Sequence, residues 1–232
     1  MPAAAKPAAV KPVAIKADGI AVSGLLLAPA RARACYVFAH GAGAGMKHPF
    51  MTAVAEGLAA RGIASLRYQF PDMEHGGKRP DPPKVAHAAV RAAVSEVARR
   101  LPNLPLVAGG KSFGGRMTSQ AQAAKPMPGV VGLAFLGFPL HPAGQPSRER
   151  GKHLFDVKVP MLFLQGTRDA LAALDELKPL CKALGVRATL ELFADADHSF
   201  HVPARSGQTD AQVMTDMLDA FARWVQERVA AG

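Results

Sequence analysis

Short apolar runs that stop at glycine-rich loops alternate along this chain with amphipathic stretches of helical length. Ala34–Ala39 reads Ala-Cys-Tyr-Val-Phe-Ala and ends at His40-Gly41. An unbroken run of that length suits a strand covered on both faces, because an exposed face would carry polar residues at alternate positions. Ile63–Phe70, Leu104–Ala108, Val130–Leu136, Val159–Gln165 and Val186–Phe193 read the same way. Helical patterns lie between them. Pro49–Arg61 repeats Phe50, Val54 and Leu58 every four residues, with Gly62 in the place of a helix C-terminal glycine. Pro83–Leu101 carries a stripe of Val85, Val90, Val94 and Val97, and Phe113–Ala124 and Leu171–Leu184 follow. Thr209–Val229 presents Met217, Leu218, Phe221, Trp224 and Val225. Ahead of all these, Val13–Ile15 and Ile20–Leu27 flank the tight-turn pair Asp18-Gly19.

This order predicts an α/β fold: a mostly parallel central sheet, an N-terminal antiparallel hairpin and helices on both faces. Residues 1–11, mostly Ala, Pro and Lys, read as a flexible tail, and 12–232 as a single domain. Ligands of such sheets sit outside the carboxyl ends of the strands. Four loops in those places carry chemistry: His40–His48, Gly109–Gly115, Gly166–Ala170 and Ala194–His201.

The second loop holds G-x-S-x-G as Gly110, Ser112 and Gly114, between a predicted strand and a predicted helix. A serine at so sharp a turn is pushed out of the sheet, and the turn closes only if the residues two before and two after are very small. The following helix directs free N–H groups at the reacting oxygen. A phosphate-binding loop ending in Gly110-Lys111-Ser112 would need glycine where Pro105 stands, and proline has no N–H to offer a phosphate.

In the first loop, His40-Gly41-Ala42-Gly43-Ala44-Gly45, small residues let backbone N–H groups approach an oxygen. Acyl transfer needs such donors for the charge that develops on the carbonyl oxygen, and losing one raises the barrier by about 3–4 kcal/mol. The expected pair is the N–H of Phe113 with the N–H of Ala42. A dinucleotide turn would need glycine at Met46 and an acidic residue near Tyr68-Gln69-Phe70, and has neither.

A serine of ordinary basicity needs a base, and the base an orienting acid. Asp169 follows Gln165-Gly166-Thr167-Arg168, and His198 follows Asp195-Ala196-Asp197, each just past a strand. The chain order Ser112, Asp169, His198 suits this architecture, and all three fall at one sheet edge. Among the other histidines, His40 ends a strand and reads as a support for its loop, while His201 is the nearest rival base. Asp195, Asp197, His198 and His201 also allow a metal cluster, which no second cluster supports.

The chain is identified by these residues as similar to the α/β-hydrolase superfamily, in particular its small lid-less members resembling dienelactone hydrolase. The resemblance runs over about residues 13–230 and is carried by His40-Gly41-Ala42-Gly43, Phe70-Pro71, Gly110–Arg116, Gly137–Pro142, Gln165–Asp169 and Asp197–Phe200. It implies Ser112 as nucleophile, Asp169 as acid and His198 as base, with Ala42 and Phe113 as oxyanion donors and no cofactor or metal. It implies a serine esterase acting on small carboxylic esters or thioesters through an acyl-enzyme. Dienelactone hydrolase itself uses cysteine where Ser112 stands, and some relatives resemble catalytically silent adaptors, the alternative function. Phe138–Lys158, where larger relatives insert a lid, is too short for a cap domain.

Charge raises a competing possibility. The 28 Lys and Arg against 18 Asp and Glu leave +10, and a pI near 10.0 suggests nucleic acid. Aromatics are only 6% with one tryptophan, so platforms for stacking bases are scarce. The expected partner is instead a small ester, and Lys47, Lys78, Arg79, Lys111, Arg148 and Arg150 suggest a positive rim drawing anionic ones. Cys35 and Cys181 read as packed apolar residues. No run reaches the roughly 20 apolar residues of a membrane span, and no signal peptide is evident, so the expected location is cytoplasmic.

Overall fold

A computed structural model describes residues 8–17, 19–77 and 79–229. The first elements are β1 (Val10–Ala17), β2 (Ile20–Leu27), β3 (Ala34–Ala39), α1 (Pro49–Ala60), β4 (Ile63–Tyr68), α2 (Pro71–Glu74) and α3 (Pro83–Arg100). There follow β5 (Leu106–Lys111), α4 (Phe113–Ala124), β6 (Val130–Leu136), β7 (Met161–Gly166), α5 (Leu174–Leu184), β8 (Ala188–Phe193) and α6 (Asp210–Arg228). The eight strands form one sheet in the order β1-β2-β4-β3-β5-β6-β7-β8. β1 pairs antiparallel with β2 and β2 with β4, and every other pairing is parallel.

This is the expected α/β architecture, and the unbroken apolar runs are its central strands. All six residues of β3, β4 and β7 are buried. One face is covered by α3, α4 and α5, with Val90, Val94, Met117, Ala121, Leu177 and Leu180 packed on it. The other is covered by α1 and α6, through Val54, Leu58, Met217, Phe221 and Trp224. A Thr209–Gln212 capping box opens α6.

Two expectations shift. β1 takes in Val10 and Lys11, which pair with Leu27 and Leu26, so strand structure begins inside the stretch read as tail. An edge strand tolerates Lys11 and Pro12 because one side of its backbone faces no partner. Of the turn pair, Gly19 has φ +79°, and Asp18 lies outside the described residues. β5 runs through Gly109 and Gly110 to Lys111, past the expected end at Ala108. Its glycines belong to the ladder, where a Cβ on Gly109 would collide with the Ala134 carbonyl. Between β6 and β7, residues Glu149–Asp156 form a 3-10 stretch, with no cap domain.

The chain leaves β3 for β4 on one side and returns through α3 to β5 on the other, so the sheet's switch point lies between β3 and β5. The crevice outside their carboxyl ends is where this topology binds ligands.

Candidate active site

Ser112 bridges β5 and α4 with φ +49° and ψ −117°. The left-handed region costs a non-glycine residue roughly 1–3 kcal/mol and persists where the surroundings over-determine it. Those surroundings are the end of β3. A Cβ on Gly114 would stand 2.5 Å from the His40 carbonyl oxygen and 2.6 Å from that of Ala39, and one on Gly110 would collide with the Ala39 carbonyl. The spacing of glycines around Ser112 is therefore a packing requirement that lifts its Oγ clear of the sheet.

His198 and Asp169 arrive from the loops after β8 and β7. His198 Nε2 lies 2.8 Å from Ser112 Oγ, and His198 Nδ1 lies 2.6 Å from Asp169 Oδ2. Because a carboxylate accepts, Nδ1 carries the proton and Nε2 presents its lone pair to the serine hydroxyl. Asp169 is held from every side. Its Oδ1 accepts from the Leu171 N–H at 2.8 Å, and its Oδ2 also accepts from the Gln165 side-chain amide. The Asp169 side chain has no exposure and that of His198 keeps 24%, so the carboxylate is sealed in and the imidazole is reachable.

The rival groups have other partners. His40 is buried, donates from Nδ1 to the Gly41 carbonyl at 2.7 Å and accepts at Nε2 from the Phe70 N–H at 3.0 Å. It locks its own loop to the end of β4, and burial pushes its pKa down. His201 Nδ1 pairs with Asp210 Oδ2 at 2.7 Å. Asp197 Oδ1 accepts the N–H groups of Ser199 and His201, shaping the loop without reaching the imidazole. Among the described residues no group of three or more His, Cys, Asp or Glu could hold a metal ion.

Ala42 lines a cavity of about 690 Å³ whose floor includes Ser112 and His198 and whose walls include Pro49, Phe50, Met51 and Leu171. A Cβ on Gly41 would lie 3.8 Å from Ser112 Cβ, so this loop borders the serine directly. Phe113 is the first residue of α4, and its N–H has no carbonyl within the helix to meet. Two supports of the Ala42 loop were not evident from sequence. Gln69 Oε1 accepts from the Met46 N–H at 2.6 Å, and buried Arg67 donates to the Met46 carbonyl at 3.3 Å and to Thr52 Oγ1 at 2.6 Å. Arg67 and Gln165 share one sequence signal: each is a long polar side chain in a strand whose other residues are apolar or small. Of the six basic residues read as a rim, five lie within the described residues. Arg148 pairs with Glu176 at 2.5 Å, Lys47 and Arg79 are exposed, Arg150 is half-buried, and Lys78 lies outside the described residues. Lys111 turns inward and forms part of the cavity wall. Cys35 and Cys181 are buried free thiols whose pKa values burial pushes up to about 12.

Known proteins share this arrangement of strands. The family model for the alpha/beta hydrolase domain matches residues 32–226. The dienelactone hydrolase of Anabaena variabilis superposes with a TM-score of 0.78 at 20% identity, over 96% of this chain and 99% of that one. A lid-less α/β serine hydrolase of Xanthomonas campestris gives 0.73 at 21% identity, over 94% and 96% of the two chains. An α/β serine hydrolase homologue of Coxiella burnetii gives 0.73 at 16% identity, over 92% and 96%.

Proposed function

This chain belongs to the α/β-hydrolase family, and on that premise we propose that it is a serine hydrolase of small carboxylic esters or thioesters. The observation that supports this most is the continuous hydrogen-bonded chain from Ser112 through His198 to Asp169 on the floor of an open cavity.

In the reaction this geometry supports, Ser112 Oγ attacks the ester carbonyl carbon as His198 Nε2 takes the hydroxyl proton. Asp169 holds the imidazole in the tautomer that accepts it and stabilises the imidazolium. The tetrahedral oxyanion meets the N–H groups of Phe113 and Ala42. His198 then returns the proton to the leaving alkoxide or thiolate, and the carbon–oxygen or carbon–sulfur bond breaks to leave an acyl-Ser112. Water activated by the same imidazole attacks the acyl carbon and releases the carboxylic acid and free Ser112. The apolar walls of Pro49, Phe50, Met51 and Leu171 suit a short acyl or alkyl group, and among the described residues no cap domain covers the cavity.

Hydrolysis of short-chain nitrophenyl esters by the wild type and by Ser112→Ala tests the assignment. Turnover should vanish in the variant with its fold intact. Equal turnover in the two proteins would remove Ser112 from the chemistry, and no turnover of any ester or thioester by the wild type would favour a non-catalytic role.

A further inference from the structure

We propose that Lys111 is a positioning residue for the base: its ammonium tethers the main chain of His198 to the strand that carries the nucleophile, a role that rests on the serine-hydrolase reading. Lys111 is the last residue of β5, and Nζ donates to the His198 carbonyl oxygen at 2.6 Å. One strand end therefore supplies both the serine and the anchor of the histidine.

The surroundings are built for this contact. Gly137, at the end of β6, has φ +69°, and a Cβ there would lie 3.0 Å from Lys111 Nζ, 3.3 Å from the His198 carbonyl oxygen and 3.4 Å from His198 Cε1. The gap left by Gly137 is the space in which ammonium and base meet. Nζ stands 5.9 Å from the Phe50 ring centre and 5.8 Å from that of Phe200, so α1 and the base loop close over it with aromatic faces. Elsewhere the base loop is held to the loop after β7, through the Arg168 N–H to the Ala196 carbonyl and the Asp195 N–H to Thr167 Oγ1, both 2.9 Å, and to the start of α6 through His201 and Asp210. Among the described residues, the Lys111 bond is the one that ties the His198 main chain to the strand carrying the serine.

Keeping an ammonium in this wall works against stability. Burial pushes the Lys111 pKa down to about 8, with the charges of Asp169 and Asp197 acting the other way. No carboxylate lies within ion-pair distance of Nζ among the described residues. The titratable and charged groups facing it are Asp169 from the loop after β7 and Asp197 and His198 from the loop after β8, while α1 presents Phe50 and β6 presents Gly137. A cation held at such cost, bonded to the base's own carbonyl, is better explained by alignment than by folding.

Lys111→Met tests this. The variant should lose roughly ten- to a hundredfold in kcat, the scale of a small misplacement, with KM for neutral esters unchanged. At pH 7 it should be at least as thermally stable as the wild type, because a buried charge has gone. Lys111→Cys alkylated with 2-bromoethylamine restores an ammonium at nearly the same reach, and kcat should recover; the buried Cys35 and Cys181 are shielded from the reagent. Independently of turnover, the low-field proton resonance of the His198 Nδ1–H···Asp169 bond should be sharp in the wild type and broadened or lost in Lys111→Met. Unchanged kcat with an unchanged resonance would overturn the proposal, as would lowered kcat with lowered thermal stability and no recovery on alkylation. A rise in KM confined to carboxylate-bearing esters would overturn it in favour of Lys111 as a substrate-binding cation. Should the wild type hydrolyse nothing, the serine-hydrolase reading fails, and the resonance alone decides whether Lys111 holds the histidine. Its absence from both proteins would overturn the tether.

Discussion

The side-chain amide of Gln165 donates to Asp169 Oδ2, the same oxygen that accepts the His198 Nδ1–H, while Gln165 Oε1 accepts from the Phe138 N–H at 2.9 Å. Gln165 thus joins the end of β7, the backbone after β6 and the Asp169 carboxylate in one buried polar chain. Buried polar chains of this kind are rigid when every member is satisfied and costly when one is removed.

Gln165→Leu should therefore lower stability by about 1–3 kcal/mol, through the unpaired Phe138 N–H, and reduce kcat less than loss of the acid itself. Asp169→Asn, which can present an amide where the imidazole needs an acceptor, should reduce kcat on the order of 10⁴-fold. Denaturant unfolding and steady-state kinetics on the two variants separate these effects. Equal kcat losses would mean that Gln165 does more than steady the carboxylate.

Gly114→Ala should be among the most damaging single-methyl additions in the molecule. Its Cβ would meet the main-chain oxygens of His40 and Ala39, which cannot rotate away. Either β3 and α4 separate, displacing Ser112, or the chain fails to fold, since overpacking against fixed atoms costs about 1–3 kcal/mol or more. Soluble yield, thermal melting and ester hydrolysis measure this, and wild-type behaviour in all three would contradict the steric origin of the turn.

Stability should fall on acidification before the carboxylates titrate. His153, within the 3-10 stretch, packs against α4 with Nε2 2.7 Å from Ser119 Oγ. Burial, reinforced by the nearby Arg116, pushes its pKa from the ordinary 6.5 down to about 4. Burial lowers that of His40 as well. Between its ordinary and its lowered pKa, His153 binds a proton in the unfolded chain that it does not bind in the folded one. Its contribution is complete above about pH 6.5 and is lost as pH falls toward 4, at up to about 1.4 kcal/mol per pH unit, and the lowered pKa of His40 acts in the same direction. Urea unfolding at pH 7 and pH 5 should show the drop, and His153→Gln should flatten it. A slope unaltered by the substitution would assign the drop to other groups.

Much of this arrangement was legible in the chain because its signals are local. An apolar run such as Ala34–Ala39 needs no partner to declare a doubly covered strand, and Gly110, Ser112 and Gly114 declare a tight turn by spacing alone. Asp169 and His198 followed from the strand ends they occupy. The contacts between loops were not legible. Nothing near Lys111 in sequence says that its side chain turns inward to a carbonyl 87 positions away. The pairing of Arg148 with Glu176 likewise depends on how α5 packs beside the 3-10 stretch. The strand order, with β4 outside β3, is a property of connections that periodicity does not record.

The most direct measurement of the central claim is covalent labelling with a fluorophosphonate followed by peptide mapping. A serine activated by His198 and Asp169 should be modified at Ser112, with labelling abolished in Ser112→Ala and strongly slowed in His198→Ala. Labelling confined to another serine, or persisting unchanged in Ser112→Ala, would contradict the assignment of Ser112 as the nucleophile.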